Sequence, residues 1–467
     1  MPARRLFLIL SLCLLPTSAN ASPFAPCRAD EGPAGAQCGR IRVPEDRKAP
    51  AGRSLDLFVV RLPASGPDPA PDPVFFLAGG PGDAASESAA DLPEVLSVLR
   101  PRRDLVFVDQ RGTGRSHPLP CSSGGEPSQE EARACRKVLE SDADLRRYTT
   151  WDAVEDLESV RQALGSEQID LVAASYGTQV AQAYLLRHPD RVRAVVLIGA
   201  LPLAPESLLF DGRDAQRALH LLWQDCAAEP ACAAAFPRLR AETEEVLRRL
   251  HEKPVGVTVD DPQGGGPRDV VLDGQTFAST LRTRLYSAEA QSRVPLALHL
   301  AYEGDYRSMA RVTLVIARLQ HRGASLGMFL SVFCSETAPF LDPAAVERLA
   351  AGTFFGAERT LSWLRACREW PRGEVPADFA APVRADVPVL ILSGRLDPVT
   401  PPFWGEQVAA LLPQSRQVVF AASSHFPDGP CASGLAARFL EQASLAGLDS
   451  RCAESEIRPP FVVQPPH

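Results

Sequence analysis

The sequence has no basic run, no Cys-x-x-Cys pair and, beyond its first residues, no apolar stretch long enough to cross a bilayer. Each absence removes a class of function. A formal net charge of −8 argues against nucleic acid or an anionic membrane as the main partner, because both demand a basic surface. Without clustered cysteine and histidine spacing there is no zinc site to read, and neither a metal nor an organic cofactor is expected. No internal repeat is visible. Proline is frequent, at 43 residues, yet proline and glycine together stay below the roughly 25–30% that marks low complexity. What remains is a chain of 467 residues, 45% apolar and 23% charged, able to bury a full core as one large domain with an insertion or as two domains.

The opening MPARRLFLILSLCLLPTSANAS has a basic start at Arg4 and Arg5, an apolar run from Leu6 to Leu15, and the small-residue site Ala19-Asn20-Ala21. These are the parts of an export signal, so residues 1–21 are expected to be removed and the mature chain to reach the periplasm or the medium, free of the membrane. The apolar run is shorter than the roughly 20 residues a membrane span requires. Of eleven cysteines, Cys13 lies in this signal, which leaves an even number for an oxidising compartment. They fall into neighbouring couples: Cys27 with Cys38, Cys121 with Cys135, Cys226 with Cys232, Cys334 with Cys367, and Cys431 with Cys452. Disulfides are expected at these pairs. Closing a loop of about 15 residues is worth roughly 3 kcal/mol, so each would pin a loop rather than hold the fold together.

Nearly continuous apolar runs recur: LDLFVVRL from Leu55, VFFLA from Val74, LVFVD from Leu105, IDLVA from Ile169, AVVLIG from Ala194, VPVLILS from Val387 and QVVFA from Gln417. Strands of this kind are buried on both faces, as in a mostly parallel sheet between helix layers. The expected class is therefore α/β. Thr149 and Asp152 form a capping pattern ahead of Trp151, Val154, Leu157, Val160 and Leu164, which recur at helical spacing until Gly165. Between Gly199 and Val387 the pattern turns mostly helical, interrupted by the hairpin-like VGVTVDDPQGGGPRDVVL. A block placed between two late strands would cover the sheet's carboxyl edge as a cap, where ligands bind in open α/β folds. The division expected is a core of residues 22–200 and 381–455, a cap or lid of residues 201–380, and an extended tail of residues 456–467.

In LVAASYGTQVAQAYL an apolar strand breaks at Ser175 and a helix follows, as at a turn that exposes a nucleophile. A serine hydroxyl needs a base, and the base needs a carboxylate to orient it. Asp397 follows the strand VPVLILS and His425 follows QVVFA, so the three residues Ser175, Asp397 and His425 stand at three strand ends in the order Ser, Asp, His. Charge developing on the carbonyl oxygen needs two backbone N–H groups. Tyr176, next after the serine, and Gly80, in the Gly79-Gly80-Pro81-Gly82 loop after VFFLA, are the expected oxyanion donors.

GGPG, DQRGTGRS from Asp109, SYG, and the Asp and His in this order together resemble the prolyl iminopeptidase and tripeptidyl aminopeptidase group of α/β-hydrolases. CGRIRVPEDR, YTTWDAVEDLESVRQALG and the stretch from GRLDPVTPP to CASG extend the resemblance to nearly the whole mature chain, most thinly in the cap, and the C-terminal segment resembles the secreted TAP-like branch. The resemblance implies an α/β-hydrolase fold and a serine peptidase that releases residues or short peptides from a free N-terminus through an acyl-enzyme. The alternative is an exported carboxylesterase using the same three residues, and a third reading is a catalytically silent binding protein of this fold. The chain departs from the family at Ala173, where the turn usually begins with glycine, at Ser424, where glycine usually precedes the histidine, and at Ala78, where a histidine often precedes GGPG. In this family, carboxylates that meet the substrate's ammonium lie in the cap, and Glu336, beside Cys334, is the candidate. Asp109 and Arg111 are expected to be a structural pair that shapes the loops.

Overall fold

The computed structural model describes residues 23–121, 126–262, 264, 266–322 and 325–464, so the expected signal at 1–21 and the last three residues of the tail lie outside the described residues. Eleven strands form among the described residues: β1 (Phe24–Pro26), β2 (Gln37–Pro44), β3 (Ser54–Leu62), β4 (Val74–Leu77), β5 (Leu105–Val108), β6 (Ile169–Ala174), β7 (Val192–Ile198), β8 (Val255–Asp260), β9 (Pro267–Leu272), β10 (Val389–Gly394) and β11 (Ser415–Phe420). Nine of them make one sheet in the order β1-β2-β3-β5-β4-β6-β7-β10-β11. Pairing is antiparallel from β1 to β5 and parallel from there to β11.

Every residue of β4, β5, β6 and β10 is buried, as expected of runs covered by helices on both faces. β2 differs: Ile41 and Val43 point inward while Arg40 and Arg42 are exposed, so its alternation marks a strand with one wet face. The helix Thr150–Leu164 forms as its caps dictate. The Thr149 side chain accepts from the Asp152 N–H, and Gly165 ends the helix at φ 69°, in the left-handed region that glycine occupies freely.

The segment between β7 and β10 is mostly helical, with the β8–β9 hairpin set in it. It divides by packing. Residues from Ala215 to Ala310 build a core of their own around Leu219, Leu222, Phe277, Leu281 and Leu298. Met328, Phe333, Trp363 and Trp370 instead join the apolar layer on one face of the main sheet. The tail is docked across both parts: Phe461 is buried in the inserted core, Arg458 pairs with Asp225, and Glu456 accepts from the Ala422 N–H and the Ser423 hydroxyl. Cysteines are bonded as Cys27–Cys38, Cys121–Cys135, Cys226–Cys232, Cys334–Cys367 and Cys431–Cys452, with Cα–Cα distances of 4.8 to 5.9 Å. Among the described residues no helix is long and apolar enough to cross a membrane.

One expected pair does not form. Arg111 is fully buried and binds both oxygens of Asp156 at 2.7 Å, together with the carbonyls of Glu45 and Arg147. Asp109 accepts instead from the N–H and hydroxyl of Ser86 and from the Arg115 N–H. Different elements supply the two partners, so Asp109 and Arg111 brace separate loops.

Candidate active site

Three loops at the carboxyl edge of the parallel strands carry the candidate residues. Ser175 follows β6 directly, and its N–H continues the ladder by donating to the Ile198 carbonyl of β7 at 2.9 Å. Its backbone stands at φ 53°, ψ −124°, a conformation that costs a non-glycine residue of order 1–3 kcal/mol and clusters at active sites. The turn is tight because the helix Tyr176–Arg187 crosses β4 closely: a Cβ at Gly177 would lie 2.2 Å from the Leu77 carbonyl oxygen. Ala173, by contrast, sits buried in β6 opposite Leu77 and Leu197, where its methyl group is accommodated.

His425 and Asp397 meet at the ends of β11 and β10. The His425 Nδ1 lies 2.9 Å from Asp397 Oδ2. The buried Asp397 also accepts from the N–H groups of Val399 and Thr400 at 2.7 and 2.9 Å and from the Thr400 hydroxyl at 2.5 Å. Burial alone would raise its pKa; the charge of His425 and the hydrogen bonds from His425 and Thr400 outweigh that and hold it below the ordinary range. Thr400 also lies 3.2 Å from His425 Nδ1, a contact the sequence reading missed although the threonine follows the aspartate by three positions in Asp-Pro-Val-Thr. The departure at Ser424 has a use here. Its hydroxyl donates to the Leu285 carbonyl at 2.6 Å, and the His425 N–H donates to the Tyr286 carbonyl at 3.2 Å, so the insertion grips the histidine loop.

Ser175 and His425 face one cavity of about 550 Å³, together with Gly80 and Tyr176 from the sheet's loops and Arg282, Tyr286, Phe329, Phe333 and Trp363 from the insertion. Apolar walls with a few convergent polar groups are what small-substrate sites present. The Tyr176 N–H is in the first turn of its helix, where no intrahelical acceptor exists. A second cavity of about 600 Å³, bounded by Asp30, Glu31, Arg115 and Glu87, holds none of Ser175, Asp397 and His425.

Glu336 is placed otherwise than its expected role requires. It is buried in the wide turn Phe333–Thr337, is absent from the cavity lining, and both its oxygens accept from Thr150, one from the N–H and one from the hydroxyl, each at 2.6 Å. The N-terminus of the helix Thr150–Leu164 offers unpaired N–H groups and the positive end of its dipole, which hold the carboxylate there. Burial nevertheless raises its pKa to about 7, with Asp152 adding to the rise and the Thr150 hydrogen bonds opposing it. Thr150 links onward to the Tyr176 hydroxyl at 2.8 Å. A different carboxylate does line the cavity. Asp83, one residue past Gly82 and unremarked in the sequence reading, opens into it, and crowding by the cleft walls raises its pKa while the charge of His425 opposes the rise.

Residues 72–244 match the family described as alpha/beta hydrolase fold, and residues 352–452 match the family described as TAP-like protein. Serine protease Hip1 of Mycobacterium tuberculosis is 26% identical over 435 residues, covering 81% of this chain and 80% of that protein. Tripeptidyl aminopeptidase of Streptomyces lividans is 27% identical over 284 residues, covering 52% of this chain and 51% of its own length. Proline iminopeptidase of Neisseria gonorrhoeae is 34% identical over 135 residues, covering 28% and 34%. With these likenesses beside a sheet whose parallel strands end at Ser175, Asp397 and the histidine loop, the chain has the α/β-hydrolase fold and is a serine hydrolase whose C-terminal part matches TAP-like protein.

Proposed function

We propose that the chain is an exported serine aminopeptidase, with Ser175, His425 and Asp397 as its catalytic residues. The observation that carries the reading is the 2.9 Å contact between His425 Nδ1 and Asp397 Oδ2, on the wall of a roofed cleft into which the strained Ser175 turn opens. His425 Nε2 takes the proton as the Ser175 hydroxyl oxygen attacks the carbonyl carbon, while Asp397 orients the ring and offsets its charge. The Tyr176 and Gly80 N–H groups receive the oxyanion. The C–N bond then breaks, His425 returns the proton to the leaving amine, and water hydrolyses the acyl-serine by the same route in reverse roles.

Residues 22–200 and 381–455 act in this reading as the hydrolase core, and residues 201–380 as a cap that narrows the entrance. The peptidase names of the relatives support peptide substrates, and the bonded cysteine couples support an oxidising compartment. The test is turnover of proline, alanine and tripeptide anilides with free N-termini, by wild type and by Ser175→Ala. Turnover by wild type alone is expected. Fast cleavage of simple esters with no amide turned over would replace this reading by the carboxylesterase one.

A further inference from the structure

An aminopeptidase has to hold one positive charge, and the cleft presents charges of both signs. The roof's cations are already matched: Arg282 meets Asp211 at 2.7 Å and Arg359 meets Glu126 at 2.8 Å. The floor's carboxylates are not. Asp83 and Glu87 line the cavity, and no side-chain hydrogen bond or ion pair of either is present among the described residues.

Asp83 is close to the chemistry. A methyl group built at Gly79 would lie 3.2 Å from the Ser175 Cβ and 3.4 Å from Asp83 Oδ2, so the serine and the carboxylate flank a single point of the loop. That loop is also held from the insertion, since the Ser325 N–H donates to the Gly82 carbonyl at 2.9 Å and a Cβ at Gly82 would lie 2.8 Å from the Ser325 oxygen. The carboxylate therefore rides on a braced support. The Asp83 carboxylate is exposed to the open cleft and has no side-chain partner of its own among the described residues, so a cation that enters beside Ser175 finds an unpaired counter-charge.

We propose that Asp83 binds the α-ammonium of the substrate's first residue and, by its nearness to Ser175, restricts each cut to one residue. The inference rests on the aminopeptidase reading and names its substrate. In an aminoacyl group the amine nitrogen is two bonds from the carbonyl carbon under attack, so its counter-charge must stand within one side chain of the nucleophile. Each further residue on the acyl side carries the nitrogen outward by about 3.3–3.6 Å. Release of a tripeptide would need the anion roughly 7 Å farther out. Glu87, on the same wall, adds to the negative potential that draws a cation in.

The test measures kcat and KM for alanyl and trialanyl anilides, each with a free and an acetylated N-terminus, on the whole chain carrying Asp83 wild type, Asp83→Asn or Asp83→Glu. Wild type is expected to prefer the free alanyl anilide over its acetylated form and over the trialanyl anilide. Asp83→Asn should raise KM for the free alanyl anilide about 10- to 100-fold with kcat within a few fold, erasing the preference over the acetylated form. Asp83→Glu should restore part of it. Equal losses on free and acetylated substrates, or a preference that survives in Asp83→Asn, would overturn the assignment and leave the aminopeptidase reading intact. A wild type that cleaves both forms alike would sink that reading itself, and a wild type that prefers the trialanyl anilide would overturn the one-residue limit.

Discussion

The floor and the roof of the cleft meet the same substrate but rest on different physics. The floor is the edge of a parallel sheet, where ladder hydrogen bonds fix the ends of β6 and β10, so Ser175 and Asp397 inherit positions set by backbone. The roof is made of helices of the insertion, one part with an apolar core of its own and the other packed on the sheet through Phe333 and Trp363, and its charges, Arg282 and Arg359, are held in ion pairs. Rigid backbone carries the proposed catalytic residues, and side-chain packing shapes the space above them. Two buried carboxylates sharpen the contrast. Asp397, on the floor, is held low by the His425 ring and the hydrogen bonds of His425 and Thr400; Glu336, contributed by the insertion, has only the donors of Thr150 and rises to about 7.

Breaking the floor should have the largest effect. Asp397→Asn is expected to lower kcat by about 10⁴-fold on the best amide while the fold survives, as removal of the orienting carboxylate does elsewhere; a loss of only a few fold would remove Asp397 from its role. Gly177→Ala should destabilise the protein by about 3 kcal/mol in denaturant titration, because the new methyl group meets the Leu77 carbonyl oxygen rather than a side chain that can move. An unchanged midpoint would contradict the close crossing of helix and strand.

Glu336→Gln probes the insertion's hold on the core through pH. The folded protein keeps the Glu336 proton up to about 7, whereas the unfolded chain gives it up near 4.5. The stability this group contributes is therefore fully present below about pH 4.5 and is lost as pH rises to about 7. Wild type should lose on the order of 2–3 kcal/mol relative to the glutamine variant across that window, seen as thermal midpoints that converge or cross between pH 5 and pH 8. A difference independent of pH would refute it. The smallest effect belongs to Ser424→Gly, which removes the hydroxyl bond to Leu285. A loss of about 1 kcal/mol in stability and a severalfold drop in kcat are expected; a kcat identical to wild type would mean that the roof does not position His425.

The contrast also governs what could be read from the residues alone. The buried strands announced themselves as unbroken apolar runs, and the order of Ser175, Asp397 and His425 followed from counting strand ends. β1 and β2 escaped the same reading: β1 has three residues, and β2 alternates Arg40 and Arg42 with apolar neighbours at the wet end of the sheet. The packing division within the insertion was invisible, since Trp363 and Trp370 look no different in sequence from Trp223, which packs against the separate core. Glu336 and Asp83 show the limit most clearly. One glutamate caps a distant helix and one aspartate opens into the cleft, and only three-dimensional proximity tells which carboxylate a cation would find.

The positive φ of Ser175 carries one more consequence. A residue bent into a conformation that suits glycine draws on the stability of everything around it, so the molecule would be steadier with glycine at this position, and on the proposed mechanism it would then catalyse nothing. On that reading durability and turnover pull against each other at Ser175, and the strain sits where the chemistry would need it.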